Sequence, residues 1–134
     1  MRGLPNERSG AAISHGLKLK AQVVSGGEFA IGPGKADLLA AIAATGSISA
    51  AGRALGLSYR RTWLMVDTMN RCWREPLVAT AQGGSHGGGA TLTDLGGAVL
   101  KRYRDLEAAL AAAAVIPAEA LLADLLAVPR PRKG

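Results

Sequence analysis

Ligands for metals are scarce in this chain. It has one cysteine, Cys72, and two histidines, His15 and His86. One thiol excludes an internal disulfide and a multi-cysteine zinc site. Two distant histidines make no metal-ligand spacing, so neither a metal nor a cofactor is expected. Aromatic residues are only 4% of the chain, so a core must be built from Leu, Ile, Val and Ala, an alphabet that suits helices. No run of 18 apolar residues occurs, which excludes a membrane-spanning helix. The start, Met1-Arg2-Gly3-Leu4-Pro5, has no apolar stretch behind its charges and does not read as a signal peptide. A cytoplasmic protein is the expectation. Acids are also in the minority, 10 against 16 bases, giving a net charge of +6. That balance points to a polyanionic partner, nucleic acid before a membrane surface. Part of the excess lies near the ends (Arg2, Arg8, Arg130, Arg132, Lys133), where a solvated tail is the ordinary explanation.

What is present is a series of short periodic segments. Residues 1–16 are polar and aperiodic and read as a disordered leader. Leu17 to Val24 alternates apolar and polar, a half-exposed strand ended by Gly26-Gly27. Gly32-Pro33-Gly34 reads as a turn and Lys35–Thr45 as a first helix stopped by Gly46. Ser47 caps a second helix, Ile48–Leu55, which Gly56 ends. Ser58 caps a third, Tyr59–Trp73, and Pro76 prevents its continuation. Leu77–Thr80 and Ala90–Leu92 are strand-like and flank a glycine-rich tip, 82–89, so they predict a hairpin. Thr93 caps a long helix, Asp94 to about Ala114, which Ile116-Pro117 should break. A short helix, Glu119–Val128, and a basic tail follow.

The order strand, three helices, hairpin, helix predicts a mainly α fold with a small β hairpin. Specifically it is a winged helix-turn-helix with a long C-terminal dimerisation helix. The expected divisions are 1–16 leader, 17–115 DNA-binding domain with its long helix, and 116–134 short helix and tail. In such a unit the short helix props the longer one outward, and the longer one offers its first turn to a major groove. That turn is Ser58-Tyr59-Arg60-Arg61, and the arginine fork suits guanine edges and phosphates alike. Candidate DNA-binding residues are therefore Ser58, Tyr59, Arg60 and Arg61. To these are added Ser47 and Ser49 at the second helix N-terminus, Arg53 on that helix, and Ser85 and His86 at the hairpin tip. Ser47 and Ser58 are helix caps first. Tyr59 is open between stacking on sugar, donating to phosphate and packing locally. Arg60 and Arg61 read in isolation are equally ordinary solvated charges. Trp63 and Trp73 read as core, and Cys72 as a small buried hydrophobe. The long helix carries Leu95, Val99, Tyr103, Leu106 and Leu110 at helical spacing. About twenty residues span about 30 Å, more than one small domain needs, so these five are assigned to a dimer seam.

Catalysis has no support in the residue pattern. The glycines at 83–84 and 87–89 lack the Lys-Ser/Thr ending and following helix of a phosphate-binding loop. Asp94, Asp105, Glu107, Glu119 and Asp124 lie on apparent helix surfaces without an acid/base pairing, and the chain reads as non-enzymatic.

One set of segments carries a resemblance. Ala44-Thr45-Gly46-Ser47-Ile48-Ser49, Ala51, Leu57-Ser58-Tyr59-Arg60, Trp63, Met69-Asn70, Leu77-Val78, Gly83-Gly84, Gly87-Gly88-Gly89-Ala90 and Leu92-Thr93 occur in that order. Together they resemble the N-terminal DNA-binding domain of the molybdate-responsive ModE regulators, and more loosely the DNA-binding domains of LysR-type regulators. The resemblance covers about 17–115. It implies a bacterial homodimer on a palindromic double-stranded DNA operator, with dimer contacts through the N-terminal strand and the long helix. ModE proteins also carry C-terminal molybdate-binding β-barrels. The residues after 115 are too few for one, so molybdate sensing is not expected within this chain. Two alternatives to a DNA-binding regulator stand beside it: a winged-helix protein-interaction module, and a direct oxyanion (molybdate) sensor.

Overall fold

The computed structural model describes residues 13–14, 16–84 and 87–133. Their elements are β1 (Ile13–Ser14), β2 (Leu17–Lys18), β3 (Val23–Ser25), β4 (Glu28–Ile31), α1 (Pro33–Thr45), α2 (Ile48–Ala54), α3 (Tyr59–Cys72), β5 (Val78–Gly84), β6 (Gly87–Leu92) and α4 (Asp94–Leu122). The described chain is mainly helical, with a long C-terminal helix and three separate antiparallel strand pairs, β1–β2, β3–β4 and β5–β6.

The N-terminal strand region is more divided than alternation predicts. Ile13–Ser14, placed by the sequence in the leader, pairs with Leu17–Lys18, and the expected strand over 17–24 is interrupted at 19–22. Gly26 and Gly27 end its last part, β3, as expected, but as a turn into a further strand. They take φ values of 54° and 89°, the positive pair that a two-residue hairpin turn needs. The chain returns as β4, with Ser25 opposite Glu28. Nothing alternates in Glu28-Phe29-Ala30-Ile31 to announce a strand: Phe29 is half exposed while Ala30 and Ile31 are both buried.

α1 begins at Pro33, two residues ahead of Lys35. Proline fits the first helical turn because the N–H it lacks would have no intrahelical partner there. Gly46 closes α1 in the left-handed region, φ 71°, its N–H donating to the Ile42 carbonyl. Leu38, Leu39 and Ile42 of this helix are fully buried. Around them pack Ile48 and Ala51 of α2, Met65, Val66 and Met69 of α3, Leu77, Val78 and Ala90 at the hairpin, and Leu95, Val99 and Tyr103 of α4. Burying each large side chain contributes about 1.5–3 kcal/mol. One core therefore sets α2, α3 and the β5–β6 hairpin relative to one another.

Polar ties lock α4 onto this core. The Tyr103 hydroxyl donates to the Ala21 carbonyl at 2.7 Å, and burial pushes its pKa up to about 12. Arg104 donates to Asp37 of α1 at 2.8 Å and to Glu107 at 3.0 Å. Burial works against its charge, but the two carboxylates outweigh this and hold its pKa above the usual value. Gly96 lies so close to the Leu77 carbonyl that an added Cβ would come within 2.0 Å of its oxygen.

The break expected at Ile116-Pro117 is absent. α4 runs unbroken to Leu122 with Pro117 inside it, so the 115/116 boundary falls within a helix. Only the first residues of the expected 119–128 helix are helical, as the last turn of α4; turn and coil follow. An interior proline costs about 3 kcal/mol. Alanines on both sides favour helix, and Leu17 and Leu19 share an apolar groove with Ala111, Val115, Ala118 and Leu122. That tertiary support is invisible to local pattern.

Candidate nucleic-acid interface

α2 and α3 meet at a turn whose geometry depends on two glycines. Gly56 takes φ 74°, and the Leu57 N–H returns to the Gly52 carbonyl at 2.9 Å. At Gly52 the helices approach closely: a Cβ there would lie 2.1 Å from Thr62 Oγ1 and 2.8 Å from its Cγ2. Thr62 is buried, and its hydroxyl donates to the Ser58 carbonyl at 2.7 Å. The small alanines of α2 suggest close packing, but the contact itself falls on Gly52.

Both serine caps are formed. Ser47 Oγ accepts from the Ala50 N–H at 3.0 Å, and Ser58 Oγ accepts from the Arg61 N–H at 3.1 Å. On the first turn of α3, Tyr59, Arg60 and Arg61 are exposed, Tyr59 at 70%. The inward face of the helix is Thr62, Met65, Val66 and Met69. Arg60 points away from it, because its rotation along a 3.6-residue helix is opposite to theirs.

Charge pairing separates these arginines from others. Arg71 is held by Glu28 and Asp67, Arg74 by Glu75, and Arg104 by Asp37 and Glu107. The guanidinium groups of Arg53, Arg60 and Arg61 make no hydrogen bond or ion pair with another described residue. Lys35 is a cation the sequence did not flag. It is half-buried, and its pKa is lowered by burial and then by the neighbouring Arg61 charge. A lysine on the first turn of a helix, against the helix dipole, is the signal that could have marked it.

The hairpin is fastened beside this surface. Asn70 of α3 is the joint: its Oδ1 accepts from the Leu77 and Val78 N–H groups at 2.9 and 3.0 Å, and its Nδ2 donates to the Val78 carbonyl at 3.1 Å. The Ala90 N–H donates to the Gly46 carbonyl at 2.9 Å, pinning β6 to the loop between α1 and α2. Ser47, Ser49, Trp63, Thr80, Ala81 and Gly89 then line one groove of about 250 Å³. Ser47 and Ser49 are thus brought together with α3 and the hairpin. Arg53 is exposed in the last turn of α2 and makes no hydrogen bond or ion pair with the other candidate residues. Ser85 and His86 lie outside the described residues.

One of the two expectations for the tryptophans changes. Trp63 is not core: it is 38% exposed, with its ring 6.1 Å from that of Tyr59. It follows Tyr59 by one turn and shares its outer side of the helix. Trp73 does pack on the core, half-buried, and its indole N–H donates to the Ala30 carbonyl at 3.3 Å. Cys72 is half-buried rather than fully so.

The five residues assigned to a dimer seam divide. Leu95, Val99 and Tyr103 are buried within the single chain, at 9%, 5% and 3% exposure. Leu106 and Leu110 remain 40% exposed, and Val115, Ile116 and Leu121 farther along are more so. The spacing is one amphipathic stripe. Only the folded chain shows that its first half is spent on the chain's own core.

Among the described residues no group of three His, Cys, Asp or Glu side chains could hold a metal ion, and no helix is long and apolar enough to cross a membrane.

No family model matches the chain. Curated relatives do. The molybdenum-pterin-binding protein MopB of Rhodobacter capsulatus is 47% identical over 81 residues, 60% of this chain and 30% of the relative. The molybdenum transport protein ModE of Azotobacter vinelandii is 47% identical over 70 residues, 52% of this chain and 26% of the relative. The DNA-binding transcriptional dual regulator ModE of Escherichia coli K12 is 39% identical over 71 residues, 53% of this chain and 27% of the relative. The aligned segment spans less than a third of each relative's length. These relatives are named as molybdenum-pterin-binding, molybdenum transport and DNA-binding transcriptional regulatory proteins, and the similarity points to the ModE/Mop family.

Proposed function

We propose that this chain acts in molybdenum-linked transcriptional regulation and contacts double-stranded DNA through a winged helix-turn-helix. In this reading α3 enters the major groove, and Arg60 and Arg61 reach base edges and phosphates. The α2 N-terminus with Ser47 and Ser49 grips a phosphate, the β5–β6 hairpin is the wing, and Arg53, Ser85 and His86 are further proposed DNA contacts. The observation that carries the reading is the pair of exposed arginines on the capped first turn of α3. The hairpin is tied to the same helix by Asn70. A homodimer on a palindromic operator completes the proposal, its seam drawn from the exposed part of α4, including Leu106 and Leu110.

The test is a gel shift and footprint on duplex selected from a random pool. Arg60→Ala with Arg61→Ala should weaken specific binding by several kcal/mol, at about 1–3 per base contact. Each lost phosphate contact should reduce the salt slope by about one. A double variant that protects the same duplex as well as the parent does would overturn the assignment.

A second reading is favoured by the relatives' names. Direct binding of a molybdenum oxyanion is supported more directly by "molybdenum-pterin-binding" than DNA contact is. Thermal unfolding with molybdate, tungstate or sulfate tests it: a rise in midpoint with the first two and not the third supports oxyanion binding, and no rise with any removes it.

A further inference from the structure

We propose that Leu64 is a specificity-determining residue, reading the 5-methyl group of a thymine in the major groove. The inference rests on the proposed groove contact of α3 and names what that helix reads besides guanine.

The inward face of α3 is fixed by Thr62, Met65, Val66 and Met69. At 3.6 residues per turn the opposite face is Arg60, Leu64, Asp67 and Arg71. Leu64 is 51% exposed in the middle of that face, so its side chain is not recruited into the core. The polar groups one turn farther are engaged with each other: Arg71 Nε donates to Asp67 at 2.9 Å, and its two terminal nitrogens donate to Glu28 at 2.9 and 2.8 Å. The Asp67 carboxylate is therefore compensated within the chain. Trp63 is drawn aside into the groove with Ser47 and Thr80, toward the proposed phosphate site. Between them Leu64 is left as the apolar element beside Arg60.

In the major groove thymine presents a methyl group, and apolar side chains are its readers. Four helical residues rise about 6 Å, close to two base steps of about 3.4 Å. The thymine thus lies within about two base pairs of the base reached by Arg60.

The experiment uses the full chain and a duplex it selects from a random pool. Each thymine in turn is replaced by deoxyuridine, which removes one methyl and no hydrogen-bonding group. One buried methyl corresponds to about fourfold in affinity. The parent should lose about fourfold at one or two positions near the guanine that Arg60 reaches. Leu64→Ala should bind thymine and uracil duplexes equally, and Leu64→Met should keep the difference. If the parent binds every uracil duplex as tightly as the thymine one, or if Leu64→Ala keeps the full uracil penalty, the assignment to Leu64 is overturned while the groove reading stands. If the parent selects no duplex at all, both fall together. Should Leu64→Ala not fold, Leu64→Gln takes its place, and a Leu64→Gln protein that keeps the full uracil penalty overturns the assignment equally.

Discussion

Asn70 is the residue on which the placement of the hairpin turns. It bridges α3 to the entry of β5 through three hydrogen bonds of 2.9–3.1 Å. Leu77 and Val78, whose backbone groups it serves, are 0% and 3% exposed, so water cannot readily take its place. A single bond of this kind contributes about 0.5–1.5 kcal/mol net, and a stranded buried partner costs about 1–3. Asn70→Ala strands two N–H groups and weakens the satisfaction of one carbonyl, giving an expected loss of about 2–4 kcal/mol. Asn70→Asp keeps an acceptor for both N–H groups and loses only the donor, so it should cost less. Urea unfolding measures both, as a shift of midpoint at unchanged slope. The alanine variant should also bind selected duplex more weakly under conditions where it is fully folded, because the hairpin is no longer referenced to α3. A cost below about 0.5 kcal/mol for Asn70→Ala would refute the view that this side chain is the joint.

Gly52→Ala forces a methyl against Thr62 and should destabilise by about 1–3 kcal/mol; adding Thr62→Ala should return part of the loss, since the two sites share one contact, as a double-mutant cycle in urea would read. The Tyr103 hydroxyl is held neutral, its pKa moved from 10.0 to about 12, so its stabilising contribution is complete below pH 10 and is lost as the pH rises through 12. Tyr103→Phe should lower stability at neutral pH and remove that part of the alkaline loss, seen by comparing unfolding midpoints of the two proteins across this range. Pro117→Ala should stabilise the fold by up to about 3 kcal/mol, seen as a higher unfolding midpoint, while the helical circular dichroism hardly changes; a large gain in helix signal would mean that α4 is broken at this point after all.

Much of the fold was legible because local chemistry and local structure agree. Ser47, Ser58 and Thr93 are capping residues by type, and each accepts the expected backbone N–H. Gly46 and Gly56 stop or turn the chain where only glycine tolerates the backbone easily. The arginines of α3 were legible in the same way, because they open the helix directly after its Ser58 cap. The misses share a cause. β4 exists because a Gly-Gly turn folds it back on β3 and because Ala30 and Ile31 meet the core, neither of which alternation reports. Pro117 sits inside a helix because residues about a hundred positions earlier pack along it.

The sequence alone therefore determined where α2 and α3 begin, which residues cap α2, α3 and α4, and that cations gather at the leading turn of α3, since propensity and capping act within a few residues. Tertiary structure decided the rest. It assigned Leu95, Val99 and Tyr103 to this chain's own core, left Leu106 and Leu110 outward, turned Trp63 to the surface, and made Gly52 and Asn70 the points on which α2, α3 and the hairpin are registered. Those outcomes depend on which distant side chain arrives at a given spot, and no local pattern encodes that arrival.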